Sequence, residues 1–280
     1  MATWIVHLRI ADILIKEQLI PDKYKKEFIY GSLAPDCGYG IKDSFGEFSP
    51  PPSITHWTPD GCKIFCEYNN FYNTYIKDKK HNDSYYFYLG YYVHLITDVL
   101  WSTSIYMPTR YKYAKEYNKD PMYLNTVKKD WYGLDYKFLS ENPGFEPYKQ
   151  LSSVKDVADY LPYYEPGQLE KQLKFISDYY KTFAPPQSEY KFLSAEEVDE
   201  FVRTSTSLIK GKIKEFTLWT PFWIKILKGI LIPYFTIMIS FTVSLISFIN
   251  TLLFSSASNT AKSANSAVLT LFLFIEESII

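Results

Sequence analysis

Cysteine is scarce and odd in number: Cys37, Cys62 and Cys66 are all the chain has. An odd count without framework spacing excludes a disulfide scaffold and predicts reduced thiols in a cytosolic domain. The Cys62–Cys66 spacing alone is weak support for a zinc site. Neither sign of charge is in excess. A formal net charge of −1 over 280 residues gives no bulk electrostatic reason to expect nucleic acid as a partner. No signal peptide is expected either. The apolar start MATWIVHLRIADIL is broken by His7, Arg9 and Asp12, and no small-residue cleavage site follows. Clean period-two alternation is missing throughout, which argues against extended sheet and for an all-α domain. Histidine occurs only at His7, His56, His81 and His94.

What is abundant is aromatic: 26 tyrosines and 20 phenylalanines, suited to thick helices packed through rings. Periodicity predicts helices over 3–20, with Trp4, His7, Ala11 and Leu14 on one face, and over 23–32. Residues 34–57, APDCGYGIKDSFGEFSPPPSITHW, read as a long Gly/Pro/Ser loop, and such loops in compact domains tend to carry function. Further helices are predicted over 60–78 with Pro59 and Asp60 as the start signal, then over 84–103, 121–140, 153–160, 166–183 and 194–215. The helical domain is thus assigned to 1–215, followed by a juxtamembrane segment over 216–229.

Residues 230–254, ILIPYFTIMISFTVSLISFINTLLF, carry no charge and exceed the roughly 20 residues that span a bilayer as a helix. Lys210, Lys212, Lys214, Lys225 and Lys228 precede the run and only Lys262 follows it. That asymmetry predicts a single C-terminal transmembrane helix with the N-terminal domain in the cytoplasm. Residues 255–280 read as a flexible linker and a short apolar tail.

Within YLGYYVHLITDVLW, residues 88–101, one polar pair interrupts an apolar helix. His94 and Asp98 lie four apart and so share a face. A carboxylate among apolar side chains needs a cation, a donor or a metal. Either a buried His–Asp hydrogen bond or two ligands to one metal ion would satisfy it. His7 on the first helix, Asp36 at the mouth of the long loop and His56 at its far end could converge on the same place. His81, in the polar run KDKKHNDS, reads as exposed and uninvolved.

Taken together, TWIVHLRIA, GSLAPDC, ITHW and GYYVHLITDVLW, in this order and at this spacing, resemble the zinc-dependent phospholipase C family. Its members are all-α and include secreted bacterial phospholipases C, with single-strand nucleases sharing the fold. The likeness covers roughly residues 1–215 and is concentrated in the first hundred. It implies that Asp36, His56, His94 and Asp98 surround one zinc, with Asp98 bridging to a second held by His7; such N and O ligands suit zinc. Secreted members also use a processed N-terminal amine on a tryptophan, whereas Trp4 is internal here. They hold a third zinc through downstream histidines, and none follows His94 in this sequence. One or two zinc ions are therefore expected, the third site being absent or rebuilt from carboxylates such as Asp130 and Asp135. The implied activity is hydrolysis of a phosphate ester, with a phospholipid a natural substrate. Asp36 would ligate metal and orient or deprotonate the attacking water, while Tyr39, Phe45 and Phe48 would offer apolar contacts. The competing reading is a non-enzymatic membrane-anchored protein that keeps a structural zinc.

Overall fold

The computed structural model describes residues 1–42, 47–181 and 189–218. Residues Met1–Ile213 make one compact unit, which holds the elements that matter here. The described helices are α1 (Trp4–Lys16), α2 (Lys25–Gly31), α3 (Pro52–Thr55), α4 (Tyr68–Tyr75), α5 (Asp83–Trp101), α6 (Met107–Lys112), α7 (Ala114–Lys119), α8 (Tyr123–Glu141), α9 (Glu146–Ser152), α10 (Gln168–Tyr179) and α11 (Ala195–Leu218). The architecture is all-α. The sole sheet among the described residues is a two-residue hairpin, β1 (Tyr39–Gly40) antiparallel to β2 (Phe48–Ser49), inside the predicted loop.

Helix α5 is the spine. The Asn82 side chain accepts the Tyr85 N–H at 3.1 Å and so caps its start. Beyond the cap, residues Leu89 to Asp98 are buried without a break, because neighbours cover it on every side. The closest is α2. A Cβ built on Gly90 would lie 2.2 Å from the Phe28 carbonyl oxygen, and one on Gly31 would lie 1.9 Å from that of Phe87. Only glycine at both positions lets the two backbones touch. Helix α1 contributes buried Ile5, Leu8, Ile10, Ala11 and Leu14 to the same core.

The tyrosine content has a structural use. Tyr164 and Tyr91 donate their hydroxyls to the carbonyls of Ala34 and Thr55, the two ends of the long loop. Tyr163 in turn donates to the Tyr91 hydroxyl at 2.8 Å. Each ring supplies buried apolar area and a donor at its tip. Gln168 at the start of α10 adds two more bonds, to the carbonyls of Cys37 and Ser49 at 3.0 and 2.8 Å. The loop is thereby bonded to the helical frame at several points.

Several expectations change. The helix predicted over 153–160 is absent. Pro147 opens α9 earlier instead, and the Ser152 and Ser153 hydroxyls bond back to carbonyls in its last turn. Asp156 then takes a φ of 54°, which no right-handed helix permits. Asp60 does not start a helix: its side chain accepts the Cys62 N–H at 3.0 Å and turns the chain, and α4 begins only at Tyr68. Helices α6 and α7 were not anticipated, nor was the π-helical turn Ser102–Tyr106 that continues α5. The proposed membrane span, residues 230–254, and Phe45 lie outside the described residues. Among those described, no helix is long and apolar enough to cross a membrane.

Candidate metal centre

Each of the five candidate residues reaches the centre from its own position in the fold. His7 comes from the second turn of α1 and Asp36 from a short 3₁₀ turn, Ala34–Asp36. His56 follows α3 directly, while His94 and Asp98 project from one face of α5. The structure brings all five side chains together. Those of His7, His56, His94, Asp36 and Asp98 are each no more than 3% exposed. Two groups with metal-ligand spacing result: Asp36, His56 and His94, and beside them His7, His94 and Asp98.

The first group has the dimensions of a zinc site. Four donors at zinc bonding distance, placed tetrahedrally, lie about 3.3 Å from one another. Here His56 Nε2 is 3.3 Å from His94 Nε2 and 3.1 Å from Asp36 Oδ1. Asp98 Oδ2 lies 3.6 Å from His56 Nε2 and 3.7 Å from His94 Nε2. Asp36 Oδ1 and His94 Nε2 are 4.0 Å apart. Asp36, His56 and His94 thus offer three donors to one centre, with Asp98 Oδ2 beside the two imidazoles.

Tautomers follow from the surroundings. The Ser32 carbonyl can only accept, so the proton 2.8 Å away belongs to His94 Nδ1, and Nε2 faces the centre with a lone pair. This orientation depends on the α2–α5 crossing, since Ser32 follows Gly31. His56 Nδ1 meets the Thr55 hydroxyl at 3.0 Å, leaving its Nε2 on the inner side.

The second group is defined by what it lacks. The His7 ring lies parallel to that of His94, centroids 3.7 Å apart. Neither His7 nitrogen has a hydrogen-bond partner, although both are buried. Leaving such a group unpaired costs about 1–3 kcal/mol. Its Nε2 is 3.5 Å from Asp98 Oδ1, whereas Asp98 Oδ2 faces His56 and His94. The two oxygens of Asp98 therefore serve opposite sides, an arrangement suited to bridging two cations. The orphaned His7 ring and the three converging donors both fit a metal.

Electrostatics keep these groups in metal-binding form. Burial, reinforced by the neighbouring His94, lowers the pKa of His7 to about 4, so it is neutral at pH 7. Burial and the Lys63 ammonium also lower that of His56. For Asp98 burial acts upward, but Lys63, the N-terminal amine, His7 and His94 together more than reverse it and hold the carboxyl well below its usual range. For Asp36 burial again acts upward, and the His94 and His56 rings overcome it.

Above the centre opens a cavity of about 560 Å³ that reaches Asp36 and His56 and is walled by Trp4, Phe48, Tyr132 and Phe175. Tyr39 lines it too. Two lysines that the sequence did not single out also enter it. Lys63 Nζ lies 2.6 Å from Asp98 Oδ2, and Lys128 comes from α8. Their signal was faint, one lysine on an unforeseen turn and the other within the charged run KKD.

The remaining candidates lie elsewhere. Asp130 accepts the Phe192 N–H at 2.7 Å, and Asp135 accepts from Thr3 and Tyr180 at 2.7 and 2.6 Å. Neither joins a metal-capable group among the described residues. Cys66 is buried and donates to the His56 carbonyl, with Cys62 in no such group. His81 is exposed, its ring against that of Tyr85.

Residues 6–129 match the family model described as zinc dependent phospholipase C. The matched span contains all five residues of the centre. No curated protein and no solved structure matches the chain significantly.

Proposed function

We propose that the chain, whose residues 6–129 match the family model described as zinc dependent phospholipase C, is a metal-dependent hydrolase of phosphate esters, phospholipase C-like in its chemistry. The observation that carries this reading is the open cavity, which Asp36 and His56 of the metal-capable cluster line. Structural zinc sites are closed by four protein ligands, whereas catalytic ones keep a position for water or substrate. A purely structural ion would not need access from outside.

Asp36, His56 and His94 would hold one zinc and leave its remaining position to water or substrate, and His7 with Asp98 would hold a second. Zinc, when bound, lowers the pKa of water towards about 7 and polarises phosphoryl oxygens. Asp36 is the residue best placed to act on the water. Its Oδ1 is engaged by His56 while its buried Oδ2 has no hydrogen-bond partner. Held ionised, that oxygen accepts a hydrogen bond from the attacking water and turns it towards phosphorus. Its depressed pKa makes it an orienting group before a strong base. Trp4, Phe48 and Phe175 give the cavity an apolar wall where the non-reacting part of an ester rests, consistent with a phospholipid. The charge-free run 230–254 supports attachment to a membrane with the helical domain on the cytoplasmic side, which would hold the site near lipid.

The test uses the full chain, stripped by chelation and then titrated with zinc. Zinc uptake with a rise in melting temperature, and chelator-sensitive hydrolysis of bis-p-nitrophenyl phosphate, is the expected result. Uptake without hydrolysis of that diester or of a short-chain phospholipid would favour the structural reading. No uptake would overturn both.

A further inference from the structure

We propose that Lys63 and Lys128 form a phosphate-binding pair in the cavity, receiving the non-bridging oxygens of the ester that the metal centre acts on. The proposal rests on the hydrolase reading for its substrate, but the binding it describes can be measured without turnover.

Lys128 is the stronger half of the argument. It extends from α8 into the cavity and is half-buried. Among the described residues it makes no hydrogen bond or ion pair. The charges that act on it are Asp36, Lys63 and Asp98 at longer range, and burial pulls its pKa below the ordinary lysine value. An ammonium taken partly out of water without a direct partner is costly, unless a ligand completes it. It shares the cavity with Asp36 and His56, so what completes it would lie beside the metal.

Lys63 is paired in this structure, with Nζ 2.6 Å from Asp98 Oδ2. That is the oxygen that also faces His56 and His94. A divalent ion on Asp98 Oδ2 and an ammonium in contact with it repel each other. Lysine carries its charge on a flexible four-carbon stem, and the Lys63 side chain remains 18% exposed where it lines the cavity. With a metal held on Asp98, the Lys63 head group would turn from the carboxylate towards the cavity it already lines. With Asp36 and Asp98 committed to metal, the cavity keeps two uncompensated ammonium groups and selects an anion. Lysine donates three N–H groups and accepts none, which matches phosphoryl oxygen and excludes a cationic ligand at that spot.

The experiment uses zinc-loaded full-length protein and isothermal titration with two probes: inorganic phosphate, and a short-chain phosphatidylcholine below its micelle concentration. Lys128→Gln and Lys63→Gln are compared with the wild type, with the conservative Lys128→Arg, and with Lys129→Gln, the exposed neighbour on α8. Zinc content is measured for each. Lys128→Gln should weaken both probes about tenfold, the scale of one charge-assisted hydrogen bond, at unchanged zinc content. Lys128→Arg should restore most of it and Lys129→Gln should change nothing. In turnover, Lys128→Gln should raise KM more than it lowers kcat. If phosphate alone weakens while the phospholipid does not, the pair binds free anion and the proposed role towards the ester is overturned. Wild-type affinity for both probes in Lys128→Gln at full zinc content overturns the proposal entirely. A wild type that binds phosphate through Lys128 but hydrolyses nothing would fail the hydrolase reading and leave the binding pair standing.

Discussion

Asp98 is the residue on which the centre turns. Its two oxygens face different histidines, Oδ1 towards His7 and Oδ2 towards His56 and His94, and Lys63 and the Ala2 N–H also reach it. If the carboxylate served only to pair with a histidine, Asp98→Asn would keep a hydrogen bond and change little beyond stability. Between two cations the same change removes the bridging negative charge, and an amide oxygen does not replace it. Asp98→Asn is therefore expected to lower zinc content and abolish phosphodiester hydrolysis while circular dichroism stays helical. His81→Ala, at an exposed position away from the centre, should leave both at wild-type levels. Full zinc and full activity in Asp98→Asn would reduce the pair to ordinary buried polarity. That the pair shares a face was readable from its spacing of four. What else meets the pair was not, because His7, Asp36 and His56 come from three other segments of the chain.

At the scale of elements, the crossing of α2 and α5 sets the position of His94. The Ser32 carbonyl that fixes its tautomer sits just beyond the glycine contact. Gly90→Ala makes a prediction with a distinctive sign. In a helix interior alanine is ordinarily favoured over glycine by about 1 kcal/mol. Here the added Cβ would meet the Phe28 carbonyl oxygen at 2.2 Å, and backbone cannot move aside like a flexible side chain. Overpacking of this kind costs about 1–3 kcal/mol. The variant should lose stability in urea denaturation, and its zinc affinity should fall as Ser32 is pushed away from His94. A gain in stability would show that the helices part at no cost. Long apolar helices such as α1 and α5 were legible because their burial follows the chain's own periodicity. The turn at Asp60, the early start of α9 at Pro147 and the hairpin inside the long loop were not. Those depend on local side-chain-to-backbone bonds and on Gln168 and Tyr164, more than a hundred residues away along the chain.

At the scale of the whole molecule, the buried carboxylates divide into two kinds by environment. Asp36 and Asp98 sit among imidazoles and an ammonium and are held ionised. Asp135, on α8, has no such cation in contact. Burial drives its pKa from an ordinary 3.8 up to about 7, against the pull of the Tyr180 and Thr3 hydroxyls and of Arg9. It joins the N-terminal segment to the end of α10 through those hydroxyls, so its ionisation acts on how three elements are held together. A carboxyl with a raised folded pKa binds more protons folded than unfolded across the interval between the two values. Stability from this group is therefore complete near pH 4 and declines as pH rises to about 7. A shift of this size corresponds to a loss on the order of 4 kcal/mol. His7, with its lowered pKa, works in the opposite direction, losing stability as pH falls towards 4, so the net slope of the wild type alone is not diagnostic. The difference between wild type and Asp135→Asn is. Asparagine keeps an acceptor for one hydroxyl and a donor for the other, but carries no titrating proton. Urea midpoints measured from pH 4 to 8 should show Asp135→Asn gaining on the wild type steadily up to about pH 7 and holding that gain above it. A gap that stays constant with pH would mean that Asp135 ionises as an exposed carboxyl does, and that burial at this junction of α1, α8 and α10 exerts no hold on its proton.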